Sequence, residues 1–94
     1  MKELKESLYN ILNTEESNTI IFEKNDGTMR TLNGTRNLDA IPSEFHPKTI
    51  YDITDSPTIP VFDLDKQAWR AFRVDKLKSL NGKDYSEELK KLGE

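Results

Sequence analysis

Apolar residues return along the first dozen positions at helical intervals. Leu4, Leu8, Ile11 and Leu12 stand at i, i+4, i+7 and i+8, with Lys2, Glu3, Lys5 and Glu6 on the other faces. The spacing predicts an amphipathic helix over residues 2–13 whose stripe needs a partner. Residues 14–18 hold no apolar side chain and break the period. Thr19-Ile20-Ile21-Phe22-Glu23-Lys24 then concentrates β-branched and aromatic residues over the length of a strand. Asn25-Asp26-Gly27 tolerates positive φ, and Met29, Thr31 and Asn33 alternate with Arg30 and Leu32 beyond it. Residues 19–35 therefore read as a β-hairpin.

The next segment is irregular. Asn37-Leu38-Asp39-Ala40-Ile41 has room for one helical turn, and Pro42 and Pro47 forbid a longer one. Thr49-Ile50-Tyr51-Asp52-Ile53 predicts a marginal middle strand, closed by Asp55-Ser56-Pro57. Residues 58–64 and 68–74 then pair across Asp65-Lys66-Gln67 as a second hairpin, with Pro60 near a strand start or on an edge. Asn81-Gly82 ends the ordered body in this reading. Tyr85, Leu89 and Leu92 recur at helical spacing, with Asp84 or Ser86 as N-cap and Gly93 as a stop, and predict a short helical tail. The expected divisions are a helix and linker at 1–17, a strand-rich body at 18–80 and a tail at 81–94. The class is mainly β: five short strands that close into a small barrel and so remove their exposed edges.

Composition narrows the setting. The 94 residues suit one domain with a thin core, since 34% are hydrophobic and 33% charged. The absence of cysteine excludes disulfides and thiolate metal sites and makes the cytoplasm the expected compartment. No stretch approaches the length of a membrane span or the apolar run of a signal peptide. The net charge of −3 lies at the ends: two lysines face four glutamates in residues 1–17, and three cations face four acids in 81–94. The body balances nine cations against nine acids, which is not the bulk basicity of a protein that coats nucleic acid.

Two blocks carry a family resemblance. Phe22-Glu23-Lys24-Asn25-Asp26-Gly27-Thr28-Met29-Arg30-Thr31 is followed by Thr35-Arg36-Asn37-Leu38-Asp39-Ala40-Ile41-Pro42, and later Val61-Phe62-Asp63-Leu64 precedes Trp69-Arg70-Ala71-Phe72-Arg73-Val74-Asp75. Over roughly residues 18–80 this resembles the WYL_2 family, an Sm-like SH3 β-barrel group. The resemblance implies that fold, and an origin among small proteins encoded mainly by bacteriophages and mobile elements. It implies no particular biochemical activity. The close of the second block is more distantly similar to WYL domains, the ligand-sensing modules of bacterial regulators. The chain lacks their Trp-Tyr-Leu tripeptide and any helix-turn-helix signature.

The candidate chemistry is that of binding. In an extended strand Trp69, Ala71 and Arg73 share one face, while Arg70, Phe72 and Val74 share the other. Phe72 and Val74 then face the core, and Arg70 must reach one end of it. Trp69 beside Arg73 offers a stacking platform next to a cation, the combination that single-stranded nucleic acid uses. The competing reading packs Trp69 against the N-terminal helix and pairs Arg73 with an acidic neighbour. Arg30, Arg36 and Lys76 extend the patch into a basic rim for phosphates, unless nearby aspartates neutralise them. His46 lies alone in a loop without a nucleophile. Asp63 and Asp65, with Asp52 and Asp55, lack EF-hand spacing and fit local turn bonding better than a metal. The expectation is a non-catalytic module without cofactor that contacts single-stranded nucleic acid or RNA through Trp69, Arg70, Arg73, Arg30, Arg36 and Lys76. The alternative is a modulator that docks on a host protein through its acidic terminal helices. Open strand edges also allow a homo-oligomer.

Overall fold

The computed structural model describes residues 2–46 and 57–92, and the expected strand at 49–53 lies outside them. Helix α1 (Lys2–Thr14) leads into the hairpin β1 (Asn18–Glu23) and β2 (Met29–Thr35). Two 3-10 turns, Leu38–Ala40 and Ser43–Phe45, occupy the irregular segment. The second hairpin follows as β3 (Thr58–Asp63) and β4 (Ala68–Arg73), and a 3-10 turn at Val74–Lys76 leads to β5 (Leu77–Leu80). The short strand β6 (Lys83–Asp84) and helix α2 (Ser86–Leu92) complete the described chain.

All strand pairs are antiparallel, in the order β4-β3-β2-β1-β5-β6. Only the three residues of the 3-10 turn separate β4 from β5, yet three strands stand between them in the sheet. The sheet must therefore curl until its two flanks approach each other. The Phe22 ring on β1 stacks against Phe72 on β4 at 6.0 Å across that curl, and Val74 N–H donates to the Pro57 carbonyl at 3.0 Å. A register shift in the β1–β5 pairing between Ile21 and Phe22 marks a local irregularity of the kind that increases strand bend. The expected mainly β fold, with an N-terminal helix and a short C-terminal helix, is present and differs from the expectation in two details. The described residues form six strands rather than five, and no ladder joins β4 to β5 among them, so the sheet is curled but open.

The α1 stripe of Leu4, Leu8 and Leu12 is buried against Ile20, Leu32, Ile59, Val61, Phe72, Val74, Leu77 and Leu80. Tyr85, from the segment expected as tail, belongs to the same core. The Asn81-Gly82 pair does not end the body. Both residues have positive φ, 53° and 88°, and they turn β5 into β6. Asn81 also locks the turn to β1: its Oδ1 accepts from Thr19 N–H at 2.9 Å, and its Nδ2 donates to Oδ1 of the buried Asn18 at 2.9 Å.

A helix end needs partners for its last carbonyls. In α1 they come from the residues that leave β2. Arg36 N–H donates to the Leu12 carbonyl at 2.9 Å, Asn37 Nδ2 to Thr14 at 3.0 Å, and the buried Thr35 hydroxyl to Glu15 at 2.7 Å. Thr35-Arg36-Asn37 is thus a C-terminal cap supplied from a distant part of the chain. Gly34 stands just before it where β2 meets β3, and a Cβ there would approach the Phe62 carbonyl oxygen to 3.1 Å.

Candidate functional site

Strand β3 has a fully buried side chain on each face, and that decides where Trp69 goes. Ile59 and Val61 face the main core, while Phe62 points the other way and is fully buried. Trp69 is the register partner of Phe62 and meets it edge-on at 5.7 Å, with Phe45 packed on Phe62 at 5.2 Å. The indole N–H donates to the Phe45 carbonyl at 2.7 Å. His46 Nε2 lies 2.9 Å from the Leu38 carbonyl and 2.7 Å from that of Ile41, so its ring clips the same loop shut as a donor. Trp69 is consequently half-buried in a second apolar cluster under the 38–46 loop. It packs there rather than against α1.

The arginines fall into three environments. Arg36 turns inward: Nη1 donates to the Pro60 carbonyl at 2.6 Å, Nε to Asn13 Oδ1 at 3.3 Å, and the guanidinium lies 4.9 Å from the Tyr9 ring centre. Burial pulls its pKa below the ordinary value. Burial likewise raises that of the Tyr9 phenol, partly opposed by the Arg36 charge, and the Tyr9 hydroxyl is buried without a hydrogen-bond partner. Arg30 Nη2 lies 3.7 Å from Oδ2 of the buried Asp63. The other Asp63 oxygen accepts from the backbone of Asp65 and Lys66 and shapes the β3–β4 turn. Arg70, Arg73 and Lys76 remain outward. Arg70 is exposed and has no ion pair among the described residues. Its register partner is Val61, so it starts from the core side of the sheet, yet its side chain is exposed. Arg73 grips Asp75 with Nε and Nη2 at 2.9 and 3.0 Å, and Lys76 Nζ lies 4.0 Å from Glu23. The hydrogen bonds from Arg73 hold the Asp75 carboxyl below the usual carboxylate range.

The opening in the curled sheet forms a cleft of about 430 Å³ between the tip of the first hairpin and the edge of β4 that has no strand partner among the described residues. Phe22, Lys24 and Asp26 form one wall; Ala71, Phe72 and Arg73 form the other. Its aromatic surface is Phe22, backed by the buried Phe72. Of the six expected site residues only Arg73 lines this cleft, with Lys76 reaching Glu23 on its wall. Phe22, Lys24 and Ala71 were not among the expected site residues. They come together only through the curl that brings the two hairpins face to face, which no local spacing records.

Among the described residues no group of three potential ligands is placed to hold a metal ion, and no helix is long and apolar enough to cross a membrane. The acidic side chains Glu3 and Glu6 of α1 are exposed, but its apolar stripe is built into the core. A partner would meet only the polar side of that helix.

Comparison with known proteins agrees with this architecture. The chain is 42% identical over 87 residues to a protein of Enterobacteria phage T4 described as "Uncharacterized 11.5 kDa protein in Gp31-cd intergenic region". The match covers 85% of this chain and 83% of the phage protein. No solved structure matches significantly. Residues 5–78 match the model of WYL_2, with its Sm-like SH3 β-barrel fold, and the chain belongs to that family.

Proposed function

We propose that the protein is a non-catalytic, phage-type accessory module that binds single-stranded nucleic acid along β4 and the mouth of the adjoining cleft. The observation that supports this reading is the edge of β4 that has no strand partner among the described residues, where exposed Arg73 lines an opening with an aromatic wall and exposed Arg70 stands three residues earlier on the same strand. The contact centres on Arg70, Arg73 and Phe22. Trp69, Arg36 and Arg30 support the scaffold, because each is engaged internally.

The charge distribution favours a single strand over a duplex. Duplex binders neutralise roughly 6–10 phosphates, whereas this surface presents few cations, and two of them, Arg73 and Lys76, are already paired. A single strand gains about 1–3 kcal/mol for each base that stacks on an aromatic ring and needs fewer phosphate contacts. With two phosphates engaged, the logarithm of affinity falls by about 1.4 per tenfold rise in salt.

The test is fluorescence anisotropy of labelled single-stranded RNA, single-stranded DNA and duplex DNA at two salt concentrations. Saturable binding to a single strand, weakened by salt and lost in Arg70→Glu/Arg73→Glu with the fold intact, is the expected result. Absence of saturable binding at tens of micromolar protein sinks the reading and turns attention to protein partners of the exposed acidic faces.

A further inference from the structure

We infer that the cleft beside β4 is a seat for one nucleotide of the bound strand, with its base against Phe22 and its phosphate on the Arg73 fork in place of the Asp75 carboxylate. This rests on the single-strand reading above and names its central subsite.

Three features of the cleft converge on that occupant. Its volume of about 430 Å³ lies in the range of small-ligand sites, roughly 300–1,000 Å³. Phe22 is held in place by its stacked partner Phe72, with their planes inclined by 28°, so its remaining surface forms a firm wall. A base is a flat group that such a wall holds without regard to sequence. The third feature is Arg73, whose Nε and Nη2 already hold two carboxylate oxygens of Asp75 at 2.9 and 3.0 Å. A phosphate offers the same pair of oxygens to the same fork.

The charges around the cleft explain why the seat takes one phosphate rather than a row of them. Asp75 faces Arg73, Glu23 faces Lys76, and Asp26 is engaged by the hydroxyl and amide of Thr28 at 2.6 and 3.0 Å. Lys24 on the wall has no ion pair among the described residues. Both members of the Arg73–Asp75 pair are about half exposed, 50% and 44%, so water and salt screen their attraction. Asp75 is therefore a displaceable internal anion. Phosphate entry swaps one oxyanion for another, and the carboxylate is released to solvent beside it.

The experiment titrates labelled oligothymidylate and oligouridylate, about 12 nucleotides long, into the whole protein and four variants. Circular dichroism and urea midpoints verify the fold of each. Asp75→Asn removes the competing charge and raises affinity several-fold. Arg73→Gln and Phe22→Leu each lower it by about tenfold, the lower part of the range for one stacked base or one lost charged contact. Ala71→Tyr narrows the mouth from an exposed position outside the core, so it lowers affinity even where Phe22→Leu perturbs folding. If the oligonucleotides bind but Ala71→Tyr and Asp75→Asn leave affinity unchanged, the nucleotide seat is overturned while the single-strand reading stands. If the unaltered protein binds neither oligonucleotide, both fall.

Discussion

Replacing Arg36 with methionine separates a structural arginine from a surface cation. The change keeps most of the aliphatic stem and removes the guanidinium, so packing is largely preserved. It deletes the 2.6 Å hydrogen bond to the Pro60 carbonyl and the contact with the Tyr9 ring at 4.9 Å. A hydrogen bond from a charged group contributes about 1.5–3 kcal/mol, and a partly desolvated cation–π contact about 1 kcal/mol. The 3.3 Å bond to exposed Asn13 adds little. The predicted loss is about 2–4 kcal/mol, or roughly 10–25 °C in Tm for a domain of this size. Urea titration followed by Trp69 fluorescence measures it, and a double-mutant cycle with Tyr9→Leu isolates a coupling of about 1 kcal/mol. An unchanged midpoint together with lost oligonucleotide binding would refute the assignment and return Arg36 to the binding surface.

Tyr9→Phe removes a buried hydroxyl that has no partner, and is expected to leave stability unchanged or raise it by up to about 1 kcal/mol in the same titration. It also removes a source of alkaline instability. The Tyr9 pKa is raised above its ordinary 10.0, so its stabilisation is complete below that value and is lost as pH rises through the folded pKa. Gly34→Ala places a Cβ 3.1 Å from the Phe62 oxygen and 3.3 Å from Val61 Cγ2, and thermal melting should register a loss of about 1–3 kcal/mol. At acid pH, the Thr28 hydroxyl bond to Asp26, the Arg73 bond to Asp75 and the Ser86 amide bond to Asp84 each hold a carboxyl below its ordinary 3.8. Depressed carboxyl values stabilise the fold above 3.8, and that contribution disappears as pH falls through the folded values. Melting from pH 6 to 2 should therefore show a plateau followed by a decline, which the triple Asp→Asn variant flattens.

The two hairpins were legible because each carries its own period and its own turn. Asn25-Asp26-Gly27 and Asp65-Lys66-Gln67 lie where the chain reverses, and Gly27 and Gln67 have the positive φ such turns require. The alternation in β4 also placed Phe72 and Val74 in the core, where both are buried. Strand β5 was missed because Leu77-Lys78-Ser79-Leu80 is only four residues long, and its two apolar residues are three apart rather than two. Pairing with β1 across a register shift lets both leucines be buried, a tertiary effect that no window on the sequence contains. The roles of Thr35, Arg36 and Asn37 were hidden for a similar reason. Asn37 does cap its local turn, its Oδ1 accepting from Asp39 N–H at 3.0 Å, but the three residues also bond carbonyls at the end of α1, twenty or more residues earlier, which no local pattern records. Trp69 and Arg73 looked alike as exposed binding residues, since strand alternation puts both on the outer face. The loop that covers Trp69 but not Arg73 separates them.

The most direct test of the binding account is the footprint of an oligonucleotide on the amide resonances of the isotopically labelled protein. Addition of oligothymidylate should shift the amides of Phe22, Lys24, Ala71 and Arg73 together, in fast or intermediate exchange, while those of Trp69, Arg36 and α1 stay within experimental scatter. Shifts gathered on α1, or spread over the 38–46 loop around Trp69, would contradict the placement of the site at the open flank of the sheet.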